Sequence, residues 1–491
     1  MNCRVTPIPI ESTRNLCESV AIFRVLPRNQ TFSVSLYRYI LTTMSSSAST
    51  SPDSDEETLR RSRILKSKLY FDVPLSKVPV IYAASYDIAF LGIEKLHPFD
   101  SSKWGRICRF LVSDGALHRS CIVEPLEASK DDLLVVHSKS YLNSLKSSAN
   151  VAMIIEAPPV ALFPNCLVQQ KVLHPFRNQV GGTILAAKLA KERGWAINVG
   201  GGFHHCCGEK GGGFCAYADI SLCIHYAFVQ LNVSRVMIID LDAHQGNGHE
   251  LDFANDRRVY ILDMYNPGIY PFDYEARRYI DQKVEIASGT TTNEYLKKLD
   301  EALEVAGHTF DPELVVYNAG TDILDGDPLG RLKISPDGIA NRDEKVFRFA
   351  RERNIPIVML TSGGYMKSSA RVIADSMINL SKKSLIDLDF PILTTYGTNI
   401  ASVLVILSVL YHMPDAIRED IDDSLQFQNS NCLCGLRASV RISNKRMRTD
   451  TGFSNVAQRT HIRDFKRVYI AKTEEDIGYY AGYVGENSFI T

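Results

Sequence analysis

The stretch that most constrains the fold is residues 236–250, VMIIDLDAHQGNGHE, where an apolar run ends abruptly in polar residues. The run at 236–239 is typical of a strand buried in a parallel sheet. Because side chains alternate along a strand, Asp240, Asp242 and His244 are expected to point the same way at its carboxyl end, where open α/β sheets place ligands. Two carboxylates and an imidazole suit a divalent metal, and a solvated loop is the alternative interpretation.

Apolar runs alternate with helical patterns between about residues 66 and 383, and no internal repeat is evident. The alternation predicts an α/β domain with a central, mostly parallel β-sheet covered by helices on both faces. The predicted strands are 78–84, 133–137, 195–199, 236–242, 259–264, 314–318 and 357–360. The predicted helices are 103–113, 139–146, 179–193, 218–231, 293–307, 335–354 and 369–382, and Gly194 is a predicted C-cap.

We expect three segments: an amino-terminal extension over 1–65, a catalytic domain over 66–385, and a carboxyl-terminal extension of unknown function over 386–491. Residues 1–43 are Arg-biased, like an organellar transit segment, and Met44 opens a disordered-looking Ser/acidic run as an alternative start. The apolar run at 400–413 is shorter than the roughly 20 residues that span a bilayer. The basic patch at 445–448 resembles a weak nuclear-import signal, although a solvated surface is the commoner case.

Composition excludes some functions. The formal net charge is −1, so no overall basic field favours nucleic acid or a membrane surface. The 11 cysteines are scattered and odd in number, which indicates free thiols in a reducing compartment. The cysteines that follow His204 and His205 lack the spacing of a structural zinc site.

Three further motifs follow predicted strands. NVGGGFHHCCGEKGGGFC, at 198–215, places His204 and His205 between two glycine runs. YNAGTDILDGDP, at 317–328, offers Asp322 as a third metal ligand, and TSGGY ends at Tyr365. Three protein ligands leave a coordination position open, as in catalytic sites.

These parts suit metal-assisted hydrolysis of an amide. A histidine would take the proton of the attacking water and return it to the leaving amine. Tyr365 would donate a hydrogen bond to the developing oxyanion, and Asp240 would orient a histidine.

The same motifs resemble the zinc-dependent histone deacetylases of the arginase/deacetylase fold, and their wording is similar to the class IV branch. The resemblance implies one Zn²⁺ held by Asp242, His244 and Asp322, with K⁺ near Asp240. It implies that His205 is the principal base and acid and that His204, paired with Asp240, supports it. It also implies a transition-state role for Tyr365 and an acyl tunnel lined by Gly213, Phe214 and Tyr270.

Three positions depart from the family pattern. Many members have an aspartate behind the second histidine, where this chain has Asn247, so His205 is expected to be the weaker base. Ile269 replaces one of an aromatic pair, and Lys103 stands in for an arginine near the tunnel foot. These changes leave room for acyl chains longer than acetyl.

The expected function is removal of acetyl groups from lysines of histone tails and other proteins, in the nucleus and also the cytoplasm, within corepressor complexes. A long-chain lysine deacylase, a small-molecule deacetylase and a weakly active corepressor scaffold are the alternatives. A two-manganese ureohydrolase is disfavoured, because Gly246 and Leu324 stand where it needs carboxylates. No sequence-specific nucleic-acid binding and no transmembrane span are expected.

Overall fold

The structure is a computed structural model, and it describes residues 52–90, 92, 94 and 98–388. The predictions for 1–51, for the apolar run at 400–413 and for the basic patch at 445–448 lie outside the described residues. Contacts divide the chain after Phe390, and every described residue belongs to the first unit. None of the helices in this described part is long and apolar enough to cross a membrane.

The domain is built on a seven-stranded sheet in which every pair of neighbours is parallel. The strands are β1 (Val80–Ile81), β2 (Trp195–Asn198), β3 (Val236–Asp240), β4 (Val259–Tyr265), β5 (Gln282–Glu285), β6 (Leu314–Asn318) and β7 (Ile357–Leu360). Their order is β1-β2-β7-β6-β3-β4-β5. Met237 and Ile239 pack into one hydrophobic cluster and Val236 and Ile238 into another, so both faces of β3 are covered. The predicted fold class is confirmed.

Six of the seven predicted helices match helices of the structure within a few residues. Twelve α-helices flank the sheet in the described part of the chain. They are Pro52–Lys66, Lys103–Ser113, Lys130–Leu133, Lys139–Ser144, Ser148–Ile154, Asn165–Val168, His174–Arg193, Asp219–Gln230, Asn247–Asp252, Thr292–Thr309, Pro336–Arg351 and Ser369–Lys382. The predicted C-cap at Gly194 is confirmed, because its φ is 84° and its N–H donates to the Ala190 carbonyl.

One predicted strand is wrong, and one predicted helix starts too late. Residues 133–137 are not a strand, because Ser129 and Asp132 form a capping box that begins the helix Lys130–Leu133. The long helix begins at His174 and not at residue 179, and it follows directly on the π-helical turn Gln169–Leu173. Pro175, which has no backbone N–H to donate, lies at this change from π- to α-helical hydrogen bonding.

The folded part of the chain also begins before the predicted residue 66. Ile64, on the helix Pro52–Lys66, is fully buried. Arg60 Nε donates to the Val135 carbonyl at 2.9 Å, and Arg63 Nη1 donates to the Leu134 carbonyl at 2.8 Å. The sequence does not predict this contact, because most side chains of this helix are charged or polar.

Candidate active site

The polar motifs meet at one edge of the sheet. Strands β2, β7, β6 and β3 are neighbours, and each runs directly into one of the four motifs. Because all of them are parallel, their carboxyl ends open on the same side. A cavity at this edge is lined in part by His204, His205, Gly213, Phe214, Asp242 and Tyr365.

A cluster of metal-ligand type lies at the base of this site. One oxygen each of Asp242 and Asp322 and one ring nitrogen of His244 lie within 4.8 Å of one another, and all three residues are buried. His244 Nδ1 is 2.7 Å from Asp322 Oδ2 and 3.1 Å from Asp242 Oδ1. Such spacing and chemistry fit a single divalent cation.

The electrostatics of this cluster also favour a cation. Burial, together with the charge of Asp242, raises the pKa of Asp322 to about 7. Two buried carboxylates in contact are costly unless positive charge compensates them. A divalent ion supplies that charge, so the three donor residues fit the metal that the sequence predicts.

Neighbouring groups fix the ligand oxygens. Ser362 Oγ and the Gly363 N–H each donate to Asp242 Oδ2 at 3.0 Å, and the Ala243 N–H donates to Asp322 Oδ1 at 2.9 Å. A Cβ at position 363 would collide with Asp242 Oδ2, so this turn requires glycine.

His204 is paired with a buried carboxylate. Its Nδ1 donates to Asp240 Oδ2 at 2.9 Å, and its Nε2 lies 3.7 Å from Asp242 Oδ1. Burial alone would lower the pKa of His204, but the two carboxylates outweigh it and raise the pKa to about 9. The carboxylates of Asp240 and Asp242 therefore favour the protonated form of His204.

His205 stands beside it with an amide partner. Its Nδ1 donates to Asn247 Oδ1 at 2.9 Å, and its ring lies 5.8 Å from that of His244. Burial, together with the charges of His204 and His244, holds the pKa of His205 well below its usual value. His205 is therefore neutral and has a ring nitrogen able to accept a proton.

Tyr365 lies across the cavity from the histidines. Its ring is 6.1 Å from that of His244, and its backbone N–H donates to Asp327 Oδ2 at 2.8 Å. Burial and the charges of Asp322 and Asp242 raise the pKa of Tyr365 well above its usual value, so its hydroxyl remains a donor.

Lys103 lies beneath the turn that carries Tyr365 and is fully buried. Its Nζ donates to the carbonyls of Ser362 and, at 2.7 Å, Gly363. Burial lowers the pKa of Lys103 to about 8. Lys103 therefore binds the carbonyls of the same turn whose Ser362 hydroxyl and Gly363 N–H donate to Asp242.

The predicted tunnel residues are not equivalent. Gly213 has φ 53°, and a Cβ there would collide with the ring of His205. Phe214 packs against Phe99 with ring centroids 4.6 Å apart and lines the cavity. Tyr270 is 41% exposed and packs edge-on against His205 at 4.9 Å, so it lies at the mouth and is not part of the cavity lining.

Several site residues were missed by sequence reasoning. His249 Nε2 donates to Asp240 Oδ2 at 2.8 Å, so one carboxylate serves two imidazoles. The sequence could have indicated His249, because it lies only five residues after His244, on the helix Asn247–Asp252. Phe99 and Trp104, which also line the cavity, carry no such signal.

The parallel sheet, with this group of carboxylates and imidazole at the carboxyl ends of its strands, defines an α/β fold of the arginase/deacetylase type. Residues 97–380 match the histone deacetylase domain model. The chain is 75% identical over 357 residues to histone deacetylase 2 of Arabidopsis thaliana, an alignment covering 72% of this chain and 92% of that protein. It is 28% identical to histone deacetylase 8 of Xenopus tropicalis, over 51% of this chain and 70% of the relative.

A crystal structure of the HDA15 HD domain superposes with a TM-score of 0.52 at 19% identity, over 62% of this chain and 88% of that one, and so shares the fold. The chain belongs to the histone deacetylase family. The predicted reaction class, hydrolytic deacetylation of lysine, is confirmed by this membership.

Proposed function

We propose that the chain is a zinc-dependent deacetylase of the class IV branch, acting on N6-acetyl-lysine in histone tails and other proteins. The catalytic domain is proposed to extend to about residue 385. The observation that carries the proposal is the buried group of Asp242, His244 and Asp322, which faces a neutral and a charged histidine at the base of one cavity.

The proposed roles follow from the protonation states. His205, neutral and bonded through Nδ1 to Asn247, accepts the proton of the attacking water and delivers it to the leaving lysine amine. His204, held protonated by Asp240, stabilises negative charge that develops beside it. Tyr365 donates its hydroxyl proton in a hydrogen bond to the oxyanion.

Asp242, His244 and Asp322 would hold the zinc ion, which when bound activates a water and polarises the acyl carbonyl. Gly213 and Phe214 would confine the substrate side chain, and Tyr270 would contact it at the mouth. The K⁺ near Asp240 that the resemblance implies stays a prediction.

The setting of this activity is also a proposal. The similarity to the named histone deacetylases supports action in the nucleus. The corepressor complexes that the resemblance implies stay a prediction. The class IV assignment rests on the wording of the motifs around His204 and Asp322. An organellar isoform would require the Arg-biased amino terminus to act as a transit segment.

The direct test is hydrolysis of acetyl-lysine peptides by the zinc-loaded protein, with Tyr365→Phe as the matched variant. This change removes one oxyanion donor and keeps the ring that packs against Phe99. We expect turnover to fall by about 10²–10³-fold, with zinc content unchanged. Equal turnover by both proteins would contradict the proposed role, and no turnover of any substrate would favour the scaffold alternative.

One observation favours a second candidate, a long-chain lysine deacylase. An apolar pocket shares Phe99 and Phe214 with the catalytic cavity. Ile155, Val160 and Val172 form part of its wall, so a movement of the two rings would join apolar space to the active site.

The candidates separate on chain length. Matched peptides bearing acetyl, octanoyl and myristoyl groups would be compared in the natural protein and in Val160→Phe, which fills the pocket. If long chains use this space, Val160→Phe lowers their turnover and leaves acetyl turnover unchanged. If all three substrates respond alike, the pocket has no part in acyl binding.

A further inference from the structure

We propose that Asp273 is a positioning residue for His205 and acts through the side-chain amide of Asn247. The proposal rests on the proposed role of His205 and adds a residue that no motif contains. Asp273 would determine which ring nitrogen of His205 is free to accept a proton in the cavity.

The three side chains form a continuous hydrogen-bonded chain. His205 Nδ1 donates to Asn247 Oδ1 at 2.9 Å, and Asn247 Nδ2 donates to Asp273 Oδ2 at 3.2 Å. These two bonds use opposite ends of the same amide. A carboxylate therefore lies behind His205, with the amide of Asn247 between them.

Donor and acceptor chemistry makes this chain directional. An ionised carboxylate only accepts hydrogen bonds, so Asp273 requires that the NH₂ end of Asn247 turns toward it. The amide oxygen must then face His205, whose Nδ1 must carry a proton in order to donate. This tautomer leaves Nε2 unprotonated, which is the state that a general base needs.

No proton needs to move along the chain. When His205 Nε2 takes a proton from water, Nδ1 keeps its own proton and still donates to Asn247 Oδ1. The imidazolium then carries both protons until Nε2 gives one to the leaving amine. Asn247 and Asp273 remain an amide and a carboxylate throughout, so their effect is on orientation and tautomer.

Asp273 is held in place independently of Asn247. Its Oδ1 accepts from the Ala276 N–H at 3.0 Å, and its carbonyl accepts from Gln245 Nε2 at 3.1 Å. The loop is thereby tied to the residue that follows the ligand His244. A purely structural role in capping the turn would use only Oδ1, whereas Oδ2 is directed at Asn247.

The test is Asp273→Asn, assayed on the full-length chain. The new residue keeps an oxygen for the Ala276 N–H and presents NH₂ where the carboxylate accepted. Two NH₂ groups cannot satisfy each other, so Asn247 should flip and offer its own NH₂ to His205 Nδ1. His205 must then adopt the opposite tautomer, with Nε2 protonated.

Two readouts are expected to change together. In the ¹⁵N NMR spectrum of histidine-labelled protein, the His205 signals, assigned by their loss in His205→Ala, should exchange their protonated and unprotonated types. For the zinc-loaded protein, kcat should fall by about 10–100-fold, with KM changed less than about twofold. Glu275→Gln is the control, since this exposed carboxylate on the same loop pairs with Arg278 at 3.0 Å and should change neither readout.

A double variant, Asn247→Asp with Asp273→Asn, tests the chain in reverse. The carboxylate at 247 accepts from His205 Nδ1 and from the new amide at 273, so the original tautomer and most of the activity should return. This variant also answers the question if Asp273→Asn alone does not fold.

The proposal is overturned if His205 keeps its tautomer in Asp273→Asn, whatever happens to turnover. It is also overturned if the double variant folds and fails to restore the tautomer. A protein with the expected tautomers and no deacylase activity would instead refute the proposed function and leave the hydrogen-bonded chain intact.

Discussion

The two adjacent histidines have different partners, although they are neighbours in sequence and their rings are 4.1 Å apart. His204 donates to Asp240, a fully buried carboxylate at the end of β3. His205 donates to Asn247, a neutral and only partly buried amide at the start of a helix. The difference lies in the charge of the partner and in its burial.

The surroundings of the two rings favour opposite protonation states. Asp240 and Asp242 raise the pKa of His204 to about 9, whereas burial and two neighbouring imidazoles hold the pKa of His205 well below its usual range. The protonated form is thus favoured for His204 and the neutral form for His205. This arrangement avoids placing two positive charges side by side in a buried site.

The largest effect is expected from His205→Ala, which removes the proposed base. Turnover by the zinc-loaded protein should fall by about 10²–10⁴-fold, because no neighbouring neutral group can take the water proton. The measurement is kcat on an acetyl-lysine peptide, with zinc content confirmed in each sample. A loss of less than about tenfold would remove His205 from the role of principal base.

A smaller loss is expected from His204→Ala, since its contribution is electrostatic. We expect kcat to fall by about 10–100-fold, the range typical of supporting groups. The comparison with His205→Ala is made at equal metal content, because Asp240 loses one donor in this variant. If His204→Ala proves the more damaging change, the two roles are reversed.

The pH profile tests the partners themselves. Activity requires neutral His205, whose pKa is lowered, so the acidic limb of kcat/KM should lie below pH 6.5 in the natural protein. The double variant Asn247→Asp with Asp273→Asn keeps the net charge and brings a negative charge next to His205. Its acidic limb should move upward by about one pH unit, because the carboxylate favours the imidazolium. An unchanged limb would show that the partner does not control this base.

The sequence predicts the partner of His204 from the residues themselves, but it predicts only part of the hydrogen-bonded chain behind His205. Asp240 was found because strand alternation and a strand end place it beside the metal ligands. Asn247 was found from the resemblance, but Asp273 was missed, because its contact depends on how a loop 26 residues later folds back. The parallel sheet was likewise predicted from local apolar runs. The helix at 130–133 depends on a capping box, and the helix Pro52–Lys66 depends on tertiary contacts. Hydrophobic periodicity predicts neither of them.

The smallest effect on turnover at neutral pH is expected from His137→Gln. His137 contacts the segment that follows His205. Its Nδ1 donates to the Gly208 carbonyl at 3.2 Å, and its Nε2 accepts from the Ala218 N–H at 3.0 Å. Burial lowers the pKa of His137 to about 4, whereas the unfolded chain should titrate near the ordinary value of about 6.5.

The neutral ring is therefore favoured by folding, and its contribution is fully present above pH 6.5 and lost as the pH falls toward the folded pKa. Between pH 6.5 and 5, the free energy of unfolding of the natural protein should drop by about 2 kcal/mol more than that of His137→Gln. Urea unfolding at several pH values measures the difference, with the exposed His308→Gln as control. If the free energy of unfolding depends on pH in the same way in all three proteins, the neutral ring of His137 does not stabilise the segment that follows His205.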